Sequence, residues 1–122
     1  MMKLDHVTIL VGDLDASVRF YRALPGFTVK RPSGSGYAEA ENDGFTLGLF
    51  AKASWEEAIA PVPAPTGNAI LQFTVDDPAA SFAAAVAAGG KPVREATSLP
   101  WGSRSAFVAD PDGYLLEFYR WE

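Results

Sequence analysis

His6 and Glu117 are the side chains best suited to acid–base work or to metal binding, and the rest of the sequence narrows what they can do. His6 is the only histidine and there is no cysteine. That removes disulfides, thiolate metal sites and a thiol nucleophile. It also removes a two-histidine metal site within one protomer, whereas catalytic transition-metal sites draw on about three protein ligands. An imidazole beside a carboxylate has a raised pKa and can serve as a general acid/base couple. The same two residues are equally readable as a hydrogen-bonded pair with no reaction to perform, since no nucleophile or oxyanion donor accompanies them.

The positions of these residues follow from an internal repeat. Val75 lies 64 positions after Val11, and at that offset Leu10-Val11-Gly12-Asp13 falls on Thr74-Val75-Asp76-Asp77, Ser17 on Ser81 and Gly26 on Gly90. Further on, Asp43-Gly44-Phe45-Thr46-Leu47-Gly48-Leu49-Phe50 falls on Asp112-Gly113-Tyr114-Leu115-Leu116-Glu117-Phe118-Tyr119 at an offset of 69. The change of offset puts about five extra residues between Gly90 and Asp112. Each copy reads as strand, helix, Gly turn, strands, Asp-Gly turn and last strand.

In the first copy, Leu4–Val11 alternates like a strand and Asp13 or Asp15 caps a helix to about Leu24. Pro25-Gly26 stops that helix, Phe27–Arg31 is a strand, and Tyr37–Glu41 pairs with Phe45–Phe50 across Asn42-Asp43-Gly44. In the second copy, Ile70–Val75 is a strand, Ala79–Ala88 an Ala-rich helix, and Ser105–Ala109 pairs with Tyr114–Arg120. Module one spans about 1–50, a linker rich in proline and alanine about 51–68, with one helical turn at Trp55–Ile59, and module two about 69–122.

Strand alternation sorts the side chains into two faces. Val7, Ile9, Val11, Leu71, Phe73, Leu47, Leu49, Leu116 and Phe118 form the apolar set. His6, Thr8, Thr46, Gln72, Thr74, Glu117 and Tyr119 form a mixed set of the kind that lines a concave ligand cavity. A partly wet sheet face under loops has the same composition. Phe50, Trp101, Trp55 and Tyr37 can stack a flat ligand, and Arg104 can hold an anionic group or form a surface ion pair. Asp13, Asp77, Asp43 and Asp112 read as cap and turn residues.

Two segments, His6-Val7-Thr8-Ile9-Leu10-Val11-Gly12-Asp13 with Ser17, Phe20, Tyr21 and Gly26, and Trp101-Gly102-Ser103-Arg104 followed by Asp110-Pro111-Asp112-Gly113-Tyr114-Leu115-Leu116-Glu117-Phe118, resemble the opening and closing motifs of the vicinal oxygen chelate superfamily (glyoxalase, bleomycin-resistance and extradiol-dioxygenase proteins). The resemblance implies an α+β fold in which two tandem βαβββ modules form an open barrel-like cup holding the ligand, and commonly a homodimer. It also implies metal ligands on the first and last strand of each module. Carried over one at a time, those positions are His6, Gly48, Ile70 and Glu117. Gly48 has no side chain and Ile70 no donor atom.

The sequence therefore reads as a glyoxalase/bleomycin-resistance-like protein that binds a small apolar or aromatic molecule through His6, Thr8, Thr46, Phe50, Gln72, Trp101, Arg104, Glu117 and Tyr119, with no cofactor. The alternative is a lyase, isomerase or dioxygenase whose divalent metal (nickel, iron, zinc or manganese) is held by His6 and Glu117. A net charge of −5 argues against nucleic-acid and anionic-membrane partners. No apolar run approaches the ~18 residues of a spanning helix, and no signal-peptide pattern opens the chain, so the expected location is cytoplasmic.

Overall fold

The computed structural model describes residues 2–61 and 69–122. The chain divides into two compact units, Met1–Ala64 and Pro65–Glu122. The first contains β1 (Val7–Val11), α1 (Leu14–Ala23), β2 (Phe27–Lys30), β3 (Tyr37–Asn42), β4 (Phe45–Ala51) and α2 (Lys52–Ala58). The second contains β5 (Ile70–Thr74), α3 (Pro78–Ala87), β6 (Lys91–Ser98), β7 (Ser103–Ala109) and β8 (Leu115–Trp121). Each unit carries one four-stranded sheet, ordered β1-β4-β3-β2 in the first and β5-β8-β7-β6 in the second. Two βαβββ units of an α+β fold are what the repeat implies.

The pairing registers show that the repeat is structural. β1 runs parallel to β4 with Thr8 opposite Gly48, and β5 runs parallel to β8 with Gln72 opposite Glu117. Gln72 is 64 positions after Thr8 and Glu117 is 69 after Gly48, the two offsets of the sequence repeat. The extra residues of the second unit go into a longer β6 of 8 residues against 4 in β2. Their pairing shifts register between Pro92 and Arg94 and again between Arg94 and Thr97. Pro92 has no N–H to give a ladder, which suits an edge strand with bulges.

Both long helices begin on the same device. Asp13 accepts from Ala16 N at 3.1 Å, and Asp77 accepts from Ala80 N at 3.2 Å. Each satisfies an amide that the helix itself cannot pair. In α1, Leu14, Ser17, Val18, Phe20 and Tyr21 are buried. They recur at helical spacing and cover the face of the first sheet that presents Ile9, Val11, Ala38, Ala40, Leu47 and Leu49. The two alanines on β3 leave room for Phe20 and Tyr21, whose rings meet edge to face at 5.0 Å. Each large apolar side chain buried this way contributes about 1.5–3 kcal/mol. In the second unit, Ala85, Ala106, Val108, Leu116 and Phe118 are the buried set, and Phe73 stacks on Phe118 at 5.6 Å.

The Asp-Gly turns differ between units. Asp43 and Gly44 both have positive φ, 47° and 83°, and Asn42 pairs with Phe45, a two-residue hairpin whose twist matches its strands. In the second unit a longer turn is built around Asp110. Its Oδ1 accepts from Asp112 N at 2.9 Å and Tyr114 N at 2.8 Å while the residue is fully buried.

β6 was not assigned from sequence, β7 begins at Ser103 and not Ser105, and two further elements differ from the sequence expectation. β1 begins at Val7, so His6 stands just before the strand. The single turn expected at Trp55–Ile59 is a seven-residue helix, α2, because Lys52-Ala53-Ser54-Trp55-Glu56-Glu57-Ala58 is rich in good helix formers. Of the expected linker, residues 62–68 lie outside the described residues. Among the described residues no helix is long and apolar enough to cross a membrane.

Candidate functional site

The polar faces of the two sheets can be compared position by position. In the first unit, the parallel pair Thr8–Gly48 lies on the face opposite α1, with Glu39 beside Gly48 on β3 and Tyr37 beside Phe50. A Cβ added at position 48 would lie 2.3 Å from Thr8 Oγ1 and 3.1 Å from both Thr8 Cβ and Tyr37 Cε1. Thr8 and Tyr37 thus fill the space that any side chain at 48 would need. Tyr37 is held there on two sides. Its hydroxyl donates to Glu39 Oε2 at 3.0 Å, and its ring lies 5.5 Å from Phe50, which meets Trp55 of α2 edge-on at 5.6 Å. Burial, then the hydrogen bond to Glu39, pushes the Tyr37 hydroxyl above the ordinary tyrosine range. The neighbouring Glu41 is exposed and sits opposite Thr46.

In the second unit the corresponding pair is Gln72 and Glu117. Glu117 is 7% exposed, and its Oε1 accepts from Gln72 Nε2 at 2.9 Å. These two residues open on a hollow of about 230 Å³ whose other walls are Trp101, Ser103, Tyr119 and Trp121. Tyr119 and Trp121 stand nearly perpendicular, ring centroids 5.9 Å apart. The hydroxyls of Ser103, which borders the hollow, and Ser105, both buried, are 2.9 Å apart on β7. Such a site combines apolar walls with a few convergent polar atoms, the usual make-up of a small-molecule pocket.

Of the residues expected from sequence, the structure brings Gln72, Trp101, Glu117 and Tyr119 together. Thr8, Thr46 and Phe50 share the polar face of the first sheet. His6 lies on the first unit, with its Nδ1 2.7 Å from Asp5 Oδ2. Arg104 is not part of the Glu117 hollow. With β7 starting at Ser103, Ser103 and Ser105 face Glu117's side and Arg104 the helix side. There it borders a second hollow of about 290 Å³ with Ala79, Phe82, Glu95 and Ala96, and it donates to Ala96 O at 3.4 Å. Ser103 and Trp121 were missed in the sequence. Trp121 follows Glu117 and Tyr119 at strand spacing, and that parity is the signal that could have found it.

The donor set does not fit the metal that the family's enzymes carry. Position 48 is closed by Thr8 and Tyr37, and Ile70 offers only an aliphatic surface, 48% exposed. Among the described residues no three His, Asp or Glu side chains converge on one point.

A family model described as the Glyoxalase/Bleomycin resistance protein/Dioxygenase superfamily matches residues 3–118. A lactoylglutathione lyase of Haemophilus influenzae is 33% identical over 128 aligned positions, covering 96% of this chain and 91% of that protein. Among solved structures, a glyoxalase-related enzyme from Fulvimarina pelagi superposes with a TM-score of 0.81 at 29% identity, covering 97% of this chain and 88% of that one. A hypothetical protein from S. aureus reaches 0.83 at 22% identity, covering 98% and 94%, and supports the fold alone.

Proposed function

The chain belongs to the Glyoxalase/Bleomycin resistance protein/Dioxygenase superfamily, and from that premise we propose that it binds a small aromatic molecule on the polar face of its second module, without a catalytic metal. The observation that carries this reading is the contrast between two equivalent strand pairs. At one, Thr8 and Tyr37 occupy the space beside Gly48. At the other, Gln72 holds Glu117 at the mouth of an aromatic hollow. The first arrangement removes a carboxylate ligand position and blocks its replacement. The second leaves a carboxylate, an amide and three aromatic rings around one space, a binding surface with no reaction centre of its own.

The test is binding of single-ring aromatic compounds to the purified protein, followed by tryptophan fluorescence. Two of the three tryptophans, Trp101 and Trp121, border the hollow. Saturable quenching that is lost in Trp121→Ala supports the reading. Absence of saturable binding across neutral, anionic and cationic aromatics overturns it.

A second reading keeps an enzyme. Relatives named lactoylglutathione lyase match nearly the whole chain, and His6 and Glu117 stand at two of the four ligand positions that the resemblance implies. Here a divalent metal would be bound by those two residues with donors from a second protomer. Stoichiometric metal in freshly purified protein, together with lactoylglutathione formation that His6→Ala abolishes, supports this reading and displaces the first. On either reading the protein is proposed to work as a cytoplasmic homodimer, an assignment that rests on the resemblance. Light scattering on the eluting peak checks the dimer.

A further inference from the structure

We infer that the hollow beside Glu117 selects a flat cationic aromatic with two parallel N–H donors, the amidine or aminopyridinium class. This rests on the binding reading above and adds the chemistry of the ligand.

The inference begins with Glu117. Glu117 is almost fully buried, and among the described residues its carboxylate has one hydrogen bond, from Gln72, and no lysine, arginine or histidine at ion-pair distance. A carboxylate offers about four lone-pair sites. No buried side-chain oxygen among the described residues is without a partner, so the remaining sites are open to the hollow, where a donor group can reach them. The chain carries −5 overall, and none of the residues bordering the hollow is basic. A cationic ligand would meet a carboxylate there with no basic side chain of the wall competing for it.

The geometry adds a pattern to the charge. The Gln72 amide spends an N–H on Glu117, and its carbonyl oxygen accepts no bond among the described residues. The 2.9 Å contact ties together two residues of the hollow's wall that each keep an acceptor oxygen, the Gln72 carbonyl and the second Glu117 oxygen. Two such acceptors are complementary to two parallel N–H groups on one planar carbon, as in an amidine. The rings beside them suit a flat body. Trp101 and Trp121 are 65% and 66% exposed, an unusual amount of open indole surface. A cation over such rings gains a further electrostatic attraction. The volume of about 230 Å³ is below the usual drug-sized pocket, which points to a one- or two-ring molecule.

The experiment compares benzamidine, benzamide and benzoate, which share a ring and differ in charge and donor count, by calorimetry on the full chain. Benzamidine is expected to bind at least tenfold more tightly than benzamide, and benzoate more weakly still. Glu117→Gln should erase the preference for benzamidine over benzamide. Gln72→Met, which keeps the side-chain length and removes both the second acceptor and the donor that holds Glu117, should lower benzamidine affinity and narrow its margin over benzamide. Both variants are compared at matched melting temperature, so a folding defect in one leaves the other to decide. Equal binding of benzamidine and benzoate, or a preference that survives in Glu117→Gln, overturns the inference while the aromatic-binding reading stands. Failure of all three compounds to bind overturns both.

Discussion

At the scale of single residues, Gly48 is where two effects oppose each other and magnitude decides the sign. A glycine inside a strand costs roughly 0.5–1 kcal/mol relative to alanine through backbone entropy, so propensity alone would make Gly48→Ala stabilising. The added Cβ, however, would sit 2.3 Å from Thr8 Oγ1 and 3.1 Å from Tyr37 Cε1. Overpacking of a filled site typically costs about 1–3 kcal/mol. Gly48→Ala is therefore expected to destabilise in urea unfolding, and Thr8→Ala in the same chain should recover part of the loss. A more stable Gly48→Ala would show that the space beside Gly48 is open. Tyr37 carries a separate prediction. Its folded pKa is raised by burial and by Glu39, so its contribution to stability is complete below the unfolded tyrosine pKa near 10 and declines as pH climbs through the higher folded value. A tyrosinate absorbance titration should show a late-ionising component, and Tyr37→Phe should reduce it. Four tyrosines titrating together in the wild type would contradict it.

At the scale of elements, hydrogen-bonded turns and caps account for most of what could be read from sequence. Asp13 and Asp77 begin helices where the repeat puts them, and Asn42-Asp43-Gly44 makes the hairpin that its residue types demand. These are local signals, in which a side chain two or three positions from an amide suffices. The same reasoning could not tell that Asp110 would be fully buried and would bind two amides at once, since that depends on what packs over the turn. The facing of Arg104 was lost for a different reason. With a strand beginning at Ser105 the arginine falls in a loop and can point anywhere, whereas a start two residues earlier fixes it on the helix side. β6 escaped assignment because Lys91-Pro92-Val93-Arg94-Glu95-Ala96-Thr97-Ser98 has no clean alternation, and its two register shifts explain why. The contrast between the aspartates is measurable. Asp13→Ala should cost about 1 kcal/mol, a typical N-cap loss. Asp110→Ala should cost more, about 2–3 kcal/mol, because two amides lose their acceptor and a fully buried side chain is removed. Asp110→Asn keeps an acceptor oxygen and should recover most of it. Equal costs for Asp13→Ala and Asp110→Ala would mean that the turn relaxes to find other partners.

At the scale of the whole molecule, the repeat makes one half of the protein a control for the other. Thr8–Gly48 and Gln72–Glu117 occupy equivalent places in two sheets of the same topology, yet one is closed by its own side chains and the other opens on a hollow. Divergence at equivalent positions of one backbone plan bears on metal binding in a way that stability can measure. A ligand that binds the folded chain alone stabilises it by RT ln(1 + [L]/Kd), about 2.7 kcal/mol at a hundredfold excess over Kd. Nickel, zinc, iron or manganese added to chelator-treated protein is therefore expected to leave the melting temperature unchanged, in wild type and in His6→Ala alike. Installing a carboxylate by Gly48→Glu should not create metal stabilisation either, because Thr8 and Tyr37 still fill the space beside that strand position. Only the triple change, with Thr8→Ala and Tyr37→Ala, would give the new carboxylate room. A metal-dependent rise in the wild-type melting temperature that His6→Ala removes would instead mean that His6 and Glu117 find their remaining donors elsewhere, and would turn the assignment from a binding protein to a metalloenzyme.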